Sequence, residues 1–251
     1  MRHSLASGGG GRTLGRRHLT LTPQHGTRVL LIGNSRWHWG ERNAFGLLFD
    51  HASPDVARLE GGLGVWAAVG AVPEQLMSAE QRRITLRDVP LAGCPPWLGV
   101  DRAIGAWAGW TRSSTLSLDL SSGLLLVDAG TVLSITVLSP DGEFVGGQLI
   151  PGYRLQLSAM TQGTEALPET VFAAPGKERF PKDTMSAMRR GVLQAMVSVV
   201  QDAQRACGGL LWLCGGDAEL LATELRHSSP QLQLDPELQL RGLFDLLDAS
   251  N

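Results

Sequence analysis

Two stretches decide the fold: VLLIGNSRWHWG (29–40) and LLLVDAGTVLSITVLSPDG (124–142). Each opens with an apolar run, turns on a glycine beside small hydroxyl or amide residues, and continues into a second extended run. A short apolar run bounded by turn residues reads as a buried strand. A glycine turn of this kind lets backbone N–H groups and hydroxyls approach a phosphate chain. Two such half-sites in one chain predict a duplicated fold with its ligand held between the halves.

Outward from the first copy, 28–33 is expected to be a strand buried on both faces, with 36–39 as its partner across a tight turn. Residues 47–59 read as weakly helical, 64–69 as another buried strand, 74–81 as a short helix and 83–86 as a strand. The prolines of CPPWLG (94–99) make a stiff loop. A helix over 101–110 follows, with Asp101 at its start, where a carboxylate meets free backbone N–H groups.

The second half begins afresh near Leu116. Strands are expected at 124–127, 133–138 and 144–150, with Pro140-Asp141-Gly142 turning between the last two. A helix at 153–161, a loop at 172–183 and a long helix at 184–207 come next. Met188, Val192, Met196 and Val199 lie at helical spacing on the long helix, the pattern of a core-facing stripe. A strand at 210–213, a Gly215-Gly216-Asp217 turn, a helix at 218–225 and a tail of loop and short helix at 232–247 complete the chain. This order predicts α/β architecture, a duplicated fold with a mixed sheet in each half, and not an alternating parallel pattern. The expected division is a basic tail at 1–27, a first half at 28–115 and a second at 116–251.

Composition narrows the function classes. A net charge of −2 gives no basic footprint for nucleic acid. No apolar run reaches membrane-spanning length. Only 3 cysteines occur, without a close pair, so a reduced, cytoplasmic protein is expected and not a disulfide framework. The 6 histidines are scattered, which argues against a structural zinc site.

Four local patterns carry chemistry. Asp128 ends an apolar strand, where an ionised carboxylate is costly unless it meets donors or a cation. With Gly130 and Thr131 behind it, Asp128 reads as a cation-and-phosphate site, or as a strand-end turn capping local N–H groups. Gly33-Asn34-Ser35 makes the equivalent turn in the first half; alone it is a common turn, and the second copy gives it weight. In Gly99-Val100-Asp101-Arg102, a carboxylate at a helix start would align a substrate hydroxyl while the guanidinium holds an anion. The alternative is a capping Asp beside a solvated Arg. Thr184, opening the long helix after Asp183, either donates to a ligand or serves the helix end.

Six segments in order resemble the type III pantothenate kinase family: IGNSRWHWG (32–40), LGVDR (98–102), DAGTVLSI (128–135), GGQLIPG (146–152), the Asp183-Thr184 step and CGGDAELL (214–221). That family belongs to the actin-like, sugar-kinase-like superfamily of paired ribonuclease-H-like domains. The resemblance implies an enzyme that uses ATP to phosphorylate pantothenate, the first step towards coenzyme A. It implies that Leu31, Ile32, Gly33, Asn34, Ser35, Arg36, Trp37 and His38 form an ATP-phosphate loop, with Thr131 as a second ATP contact. Gly99, Val100, Asp101 and Arg102 would meet pantothenate, with Asp101 in the catalytic base position and Thr184 as a further substrate contact. Asp128 would hold a monovalent cation, potassium or ammonium, beside Mg²⁺ and ATP. A homodimer is implied.

One departure stands out. The family's first motif usually reads Asp-x-Gly-Asn-Thr; here Leu31 stands for the Asp and Ser35 for the Thr. Serine keeps the hydroxyl, but leucine offers no oxygen to Mg²⁺. Either Asp128 or water takes over that work, or the chain is a non-catalytic nucleotide-binding or regulatory homologue.

Overall fold

The computed structural model describes residues 28–77, 82–169 and 172–250; the expected basic tail at 1–27 lies outside them. Strands β1 (Arg28–Ile32), β2 (Trp37–Asn43) and β3 (Gly46–Ala52) form an antiparallel meander. β4 (Val65–Ala68) and β5 (Arg82–Arg83) add in parallel on the other side of β1, giving the order β3-β2-β1-β4-β5. The second sheet repeats this plan. β6 (Leu124–Ala129), β7 (Val132–Leu138) and β8 (Phe144–Pro151) are the meander, and β9 (Leu210–Cys214) and β10 (Gln233–Leu234) the parallel additions, in the order β10-β9-β6-β7-β8. Strand for strand, β1 to β5 correspond to β6 to β10, with the same pairing senses. This is the duplicated ribonuclease-H-like fold.

Burial explains the central strands. Val29, Leu30, Leu31 and Ile32 are all buried, as a strand covered on both faces requires. Leu30 and Ile32 pack with Trp37, Trp39 and Trp66 on one face. Val29 and Leu31 pack on the other face with Val65, Ala67 and two helices, α1 (Val100–Thr115) and, from the far end of the chain, Leu238–Asp248.

The remaining helices serve the second half. α2 (Tyr153–Gln162), α3 (Thr184–Cys207) and α4 (Ala218–Leu225) bury Leu157, Met188, Val192, Met196, Val200 and Leu221 against the second sheet. Asp183 caps α3 by accepting the Ser186 N–H at 2.9 Å. The C-terminal helix, now α5 (Leu238–Asp248), crosses back to β1, β2 and α1. Arg42–Asp248 (2.8 and 2.9 Å) ties it to β2, and Arg112–Asp245 (2.6 Å) ties it to α1. α1, in turn, packs Ala106 and Ala108 against Leu124 and Leu126 of the second sheet. The helix that follows each sheet, α1 after the first and α5 after the second, thus sits between the halves, and the two pack on one another.

Four expectations are corrected. Residues 47–59 hold no α-helix: β3 takes Gly46–Ala52, and a short 3-10 segment follows at Val56–Gly61. Leu47 and Phe49 alternate inward along β3, so the period is that of a strand. The helix expected at 74–81 is a 3-10 turn at Glu74–Met77, with 78–81 outside the described residues. The strand expected at 83–86 is cut short after Arg83, because Thr85 and Asp88 build a capping box over Leu86–Asp88. The tail holds a strand, β10, before its helix.

Candidate active site

The two turns meet. Gly33 donates its N–H to the Arg36 carbonyl at 3.0 Å, closing the β1–β2 turn with Asn34, Ser35 and Arg36 exposed. The β6–β7 turn closes likewise, Gly130 N–H donating to the Val132 carbonyl at 3.3 Å. Ser35 Oγ and Thr131 Oγ1 then lie 3.0 Å apart, joining the equivalent loops of the two halves. Beside them, Asp217 donates its N–H to the Ala129 carbonyl at 2.9 Å. Burial raises the Asp217 carboxyl pKa, while the positive charges of Arg154 and Arg36 pull it down.

Two carboxylates sit close together behind these loops. Asp101 lies in the first turn of α1, and its Oδ1 accepts the Arg102 N–H at 2.8 Å. Gly99 makes room for this: a Cβ there would stand 2.5 Å from Asp101 Oδ1. Burial raises the Asp101 pKa, against the pull of that N–H and of the Arg102 charge. Asp128 is pushed up to about 7, first by burial and then by the negative charge of Asp101. Gln239, in the first turn of α5, donates Nε2 to Asp128 Oδ2 at 3.0 Å and to the Asp101 carbonyl at 3.4 Å. It spans the carboxylate of one half and the helix start that carries the other.

Arg102 turns inward. Its Nε donates to Thr136 Oγ1 and its Nη2 to the Ile135 carbonyl, both at 3.1 Å. Gly147 on β8 leaves space for it, since a Cβ there would stand 2.5 Å from Nη2. Val100 packs its side chain into the core beneath α1. Thr184 is exposed at the first residue of α3 and makes no hydrogen bond to Asp101, Asp128 or either loop.

Of the expected loop residues, Leu31, Ile32 and Trp37 are buried core, so their side chains shape the loop and do not face a ligand. His38 is half-buried and reaches back beneath Gly33. The residues that sequence reasoning missed are Gln239, His51 and Glu237. His38 Nδ1 lies 2.8 Å from His51 Nδ1, and His51 Nε2 lies 2.9 Å from Glu237 Oε1. Desolvation, then the neighbouring His51, lowers the His38 pKa to about 4. The Glu237 hydrogen bond raises that of His51. Only the register opposing positions 38 and 51 was a signal for this group; nothing local marked Glu237 or Gln239.

Could the acidic residues hold metal? Among the described residues, no group of three or more His, Cys, Asp or Glu side chains is placed to hold an ion. Asp128 presents one hydrogen-bonded carboxylate oxygen beside a second carboxylate and the Arg102 charge.

Paired ribonuclease-H-like halves thus bring hydroxyl-bearing loops together over two half-buried carboxylates. The solved structures agree on the fold. A Campylobacter jejuni protein assigned to the Baf family of transcriptional activators is similar with a TM-score of 0.58 at 20% identity, over 89% of this chain and 98% of that one. Component A of (R)-2-hydroxyglutaryl-CoA dehydratase from Acidaminococcus fermentans is similar with a TM-score of 0.50 at 12% identity, over 88% and 96%. The family model for type III pantothenate kinase matches residues 75–206. The type III pantothenate kinase of Synechococcus elongatus is 35% identical over 88% of this chain and 96% of its own length. That of Synechocystis sp. is 32% identical over 82% and 83%. The chain belongs to the type III pantothenate kinase family.

Proposed function

We propose that this protein transfers the γ-phosphoryl group of Mg-ATP to the primary hydroxyl of pantothenate, giving 4′-phosphopantothenate for coenzyme A synthesis. The observation that carries this reading is the meeting of Ser35 and Thr131 over the half-buried Asp101–Asp128 pair. Phosphoryl transfer needs positioning and charge stabilisation more than early proton removal. Ser35, Thr131 and the backbone N–H groups of the two turns bind the phosphates. Asp101 accepts the substrate hydroxyl and orients it in line. Its raised pKa makes it a better proton acceptor than a solvated carboxylate as the bond forms. Arg102 lays positive charge beside both carboxylates, and its Nη1, without a hydrogen bond among the described residues, is the donor left for substrate. Thr184 is assigned to substrate on the resemblance alone.

Asp128 is the residue that would hold potassium or ammonium, and a bound cation supplies positive charge beside the phosphates. Leu31 offers Mg²⁺ no oxygen, so ATP oxygens and water would carry that ion. No helix among the described residues is long and apolar enough to cross a membrane, and a cytoplasmic site of action fits the substrates. Edge strand β8 exposes Val145 and Leu149, which supports a homodimer. The test is pantothenate-dependent release of ADP from Mg-ATP in potassium buffer. ADP release that pantothenate does not raise would return the chain to the non-catalytic reading.

A further inference from the structure

We propose that His51 and Glu237 are positioning residues that make His38 a hydrogen-bond donor to an ATP phosphate, a role that rests on the ATP-site reading above. The register builds the group. His38 on β2 stands directly opposite Leu31 on β1 and His51 on β3. Directly paired residues of antiparallel strands project to the same face. That face carries Leu31 and is covered by α1 and α5. Glu237 arrives on it as the residue before α5. The row Leu31–His38–His51 therefore runs from the phosphate loop to Glu237, and its first member carries no charge.

Proton counting fixes what His38 offers. An ionised carboxylate only accepts, so His51 Nε2, 2.9 Å from Glu237 Oε1, carries a proton. A single proton lies between the two Nδ1 atoms at 2.8 Å. If His51 is neutral, that proton belongs to His38, and His38 Nε2 is bare. If His51 is charged, it donates from both nitrogens, and the neutral His38 carries its proton on Nε2. His38 Nε2 lies 3.1 Å from the point where a Gly33 Cβ would stand, on the side-chain side of the phosphate loop. It makes no hydrogen bond among the described residues.

A bare nitrogen repels a phosphate oxygen and an N–H attracts it. Bound phosphate therefore selects the second arrangement and draws a proton onto His51. The charged groups facing His51 mostly favour this. Glu237 before α5 and Asp50 beside it on β3 stabilise the cation, while Arg36 in the loop opposes it. The neighbouring ring, His38, stays neutral, its pKa held down at about 4 by burial. The pair thus supplies a donor at the loop and a positive charge one residue behind it.

The experiment is calorimetric titration of the full chain with the Mg²⁺ complex of the β,γ-imido analogue of ATP, in buffers of different ionisation heat between pH 6.5 and 8.5. Wild type is expected to take up protons on binding and to bind more weakly as pH rises. His51→Phe and the near-isosteric Glu237→Gln should both lose most of that uptake, and their affinity should no longer fall as pH rises. His38→Leu should likewise take up no proton and bind about tenfold more weakly than wild type at pH 6.5, the loss of one charge-assisted hydrogen bond. Unchanged proton uptake in Glu237→Gln and His51→Phe would overturn the relay while leaving the ATP site standing. Failure of folded wild type to bind the analogue would overturn the ATP-site reading and the relay with it.

Discussion

Ser35 and Thr131 stand 96 positions apart in the chain, and their hydroxyl oxygens lie 3.0 Å from each other. They occupy the equivalent turns of two sheets with identical strand order. A hydroxyl pair at the junction of two halves is suited to part around a phosphate chain, each oxygen exchanging its partner for a ligand oxygen. Ser35→Ala and Thr131→Ala are each expected to raise the KM for ATP several-fold, with the KM for pantothenate little changed. One neutral hydrogen bond is worth about 1 kcal/mol, so neither variant should abolish turnover. Steady-state kinetics with each substrate varied in turn checks this.

Asp128 makes stability depend on pH in a stated direction. Its folded pKa, about 7, lies above the ordinary carboxylate value of 3.8, so between those values the folded state holds more protons than the unfolded one. Stability therefore falls as pH rises through this window and levels off above about 7. Thermal melts in buffer free of potassium and ammonium should show a lower Tm at pH 8 than at pH 5. Adding potassium at pH 8 should recover part of the loss, because a cation bound only to the folded chain stabilises it. Asp128→Asn should flatten the difference.

Gln239 offers a second check on the same carboxylate. Its amide is the one side-chain donor to Asp128 among the described residues and also reaches the Asp101 carbonyl. Gln239→Leu removes both bonds without emptying the space. A buried acceptor left without its donor costs about 1–3 kcal/mol. Urea unfolding at pH 8 should show a loss of that order, and the potassium concentration needed for half-maximal activity should shift. A variant as stable as wild type, with unchanged potassium dependence, would remove Gln239 from the site.

Gly99→Ala tests the seating of Asp101. The added Cβ would stand 2.5 Å from Asp101 Oδ1, inside van der Waals contact. The carboxylate must swing away from the Arg102 N–H that holds it. The expected outcome is a fall in kcat of about a hundredfold, of the kind that misplaced catalytic groups produce. The ATP affinity should be retained, since the atoms nearest the added Cβ belong to Asp101 and Val69. Rapid-quench and equilibrium-binding measurements separate the two.

Much of this arrangement is written locally. The apolar runs at β1 and β6, the glycine turns behind them and the stripe of α3 each announce themselves within a dozen residues, because burial on both faces and helical spacing leave plain patterns. Asp101 and Asp128 were visible for the same reason: a carboxylate at a helix start or a strand end is a local anomaly. The edge strand β3 reads as helix in the sequence because its outward residues are partly apolar, Leu48 being 58% exposed, which blurs the alternation. Gln239, Glu237 and His51 were out of reach. Their roles follow from α5 crossing back onto the first sheet, a tertiary event with no trace in the sequence around them. The inward turn of Arg102 depends likewise on the space left by Gly147, across two strands.

The central claim is that Asp101 orients the pantothenate hydroxyl for attack on Mg-ATP, and one comparison tests it most directly. Wild type and Asp101→Asn, both shown to be folded and to bind ATP, are incubated with Mg-ATP, potassium and pantothenate, and 4′-phosphopantothenate is quantified by mass. Asparagine keeps the size and a hydrogen bond but loses the charge and the capacity to take the proton. The account predicts product from wild type and a fall in kcat of about 10²–10⁴ in the variant, with the KM for pantothenate changed far less. Equal turnover by the two proteins, or no product from wild type, would contradict it.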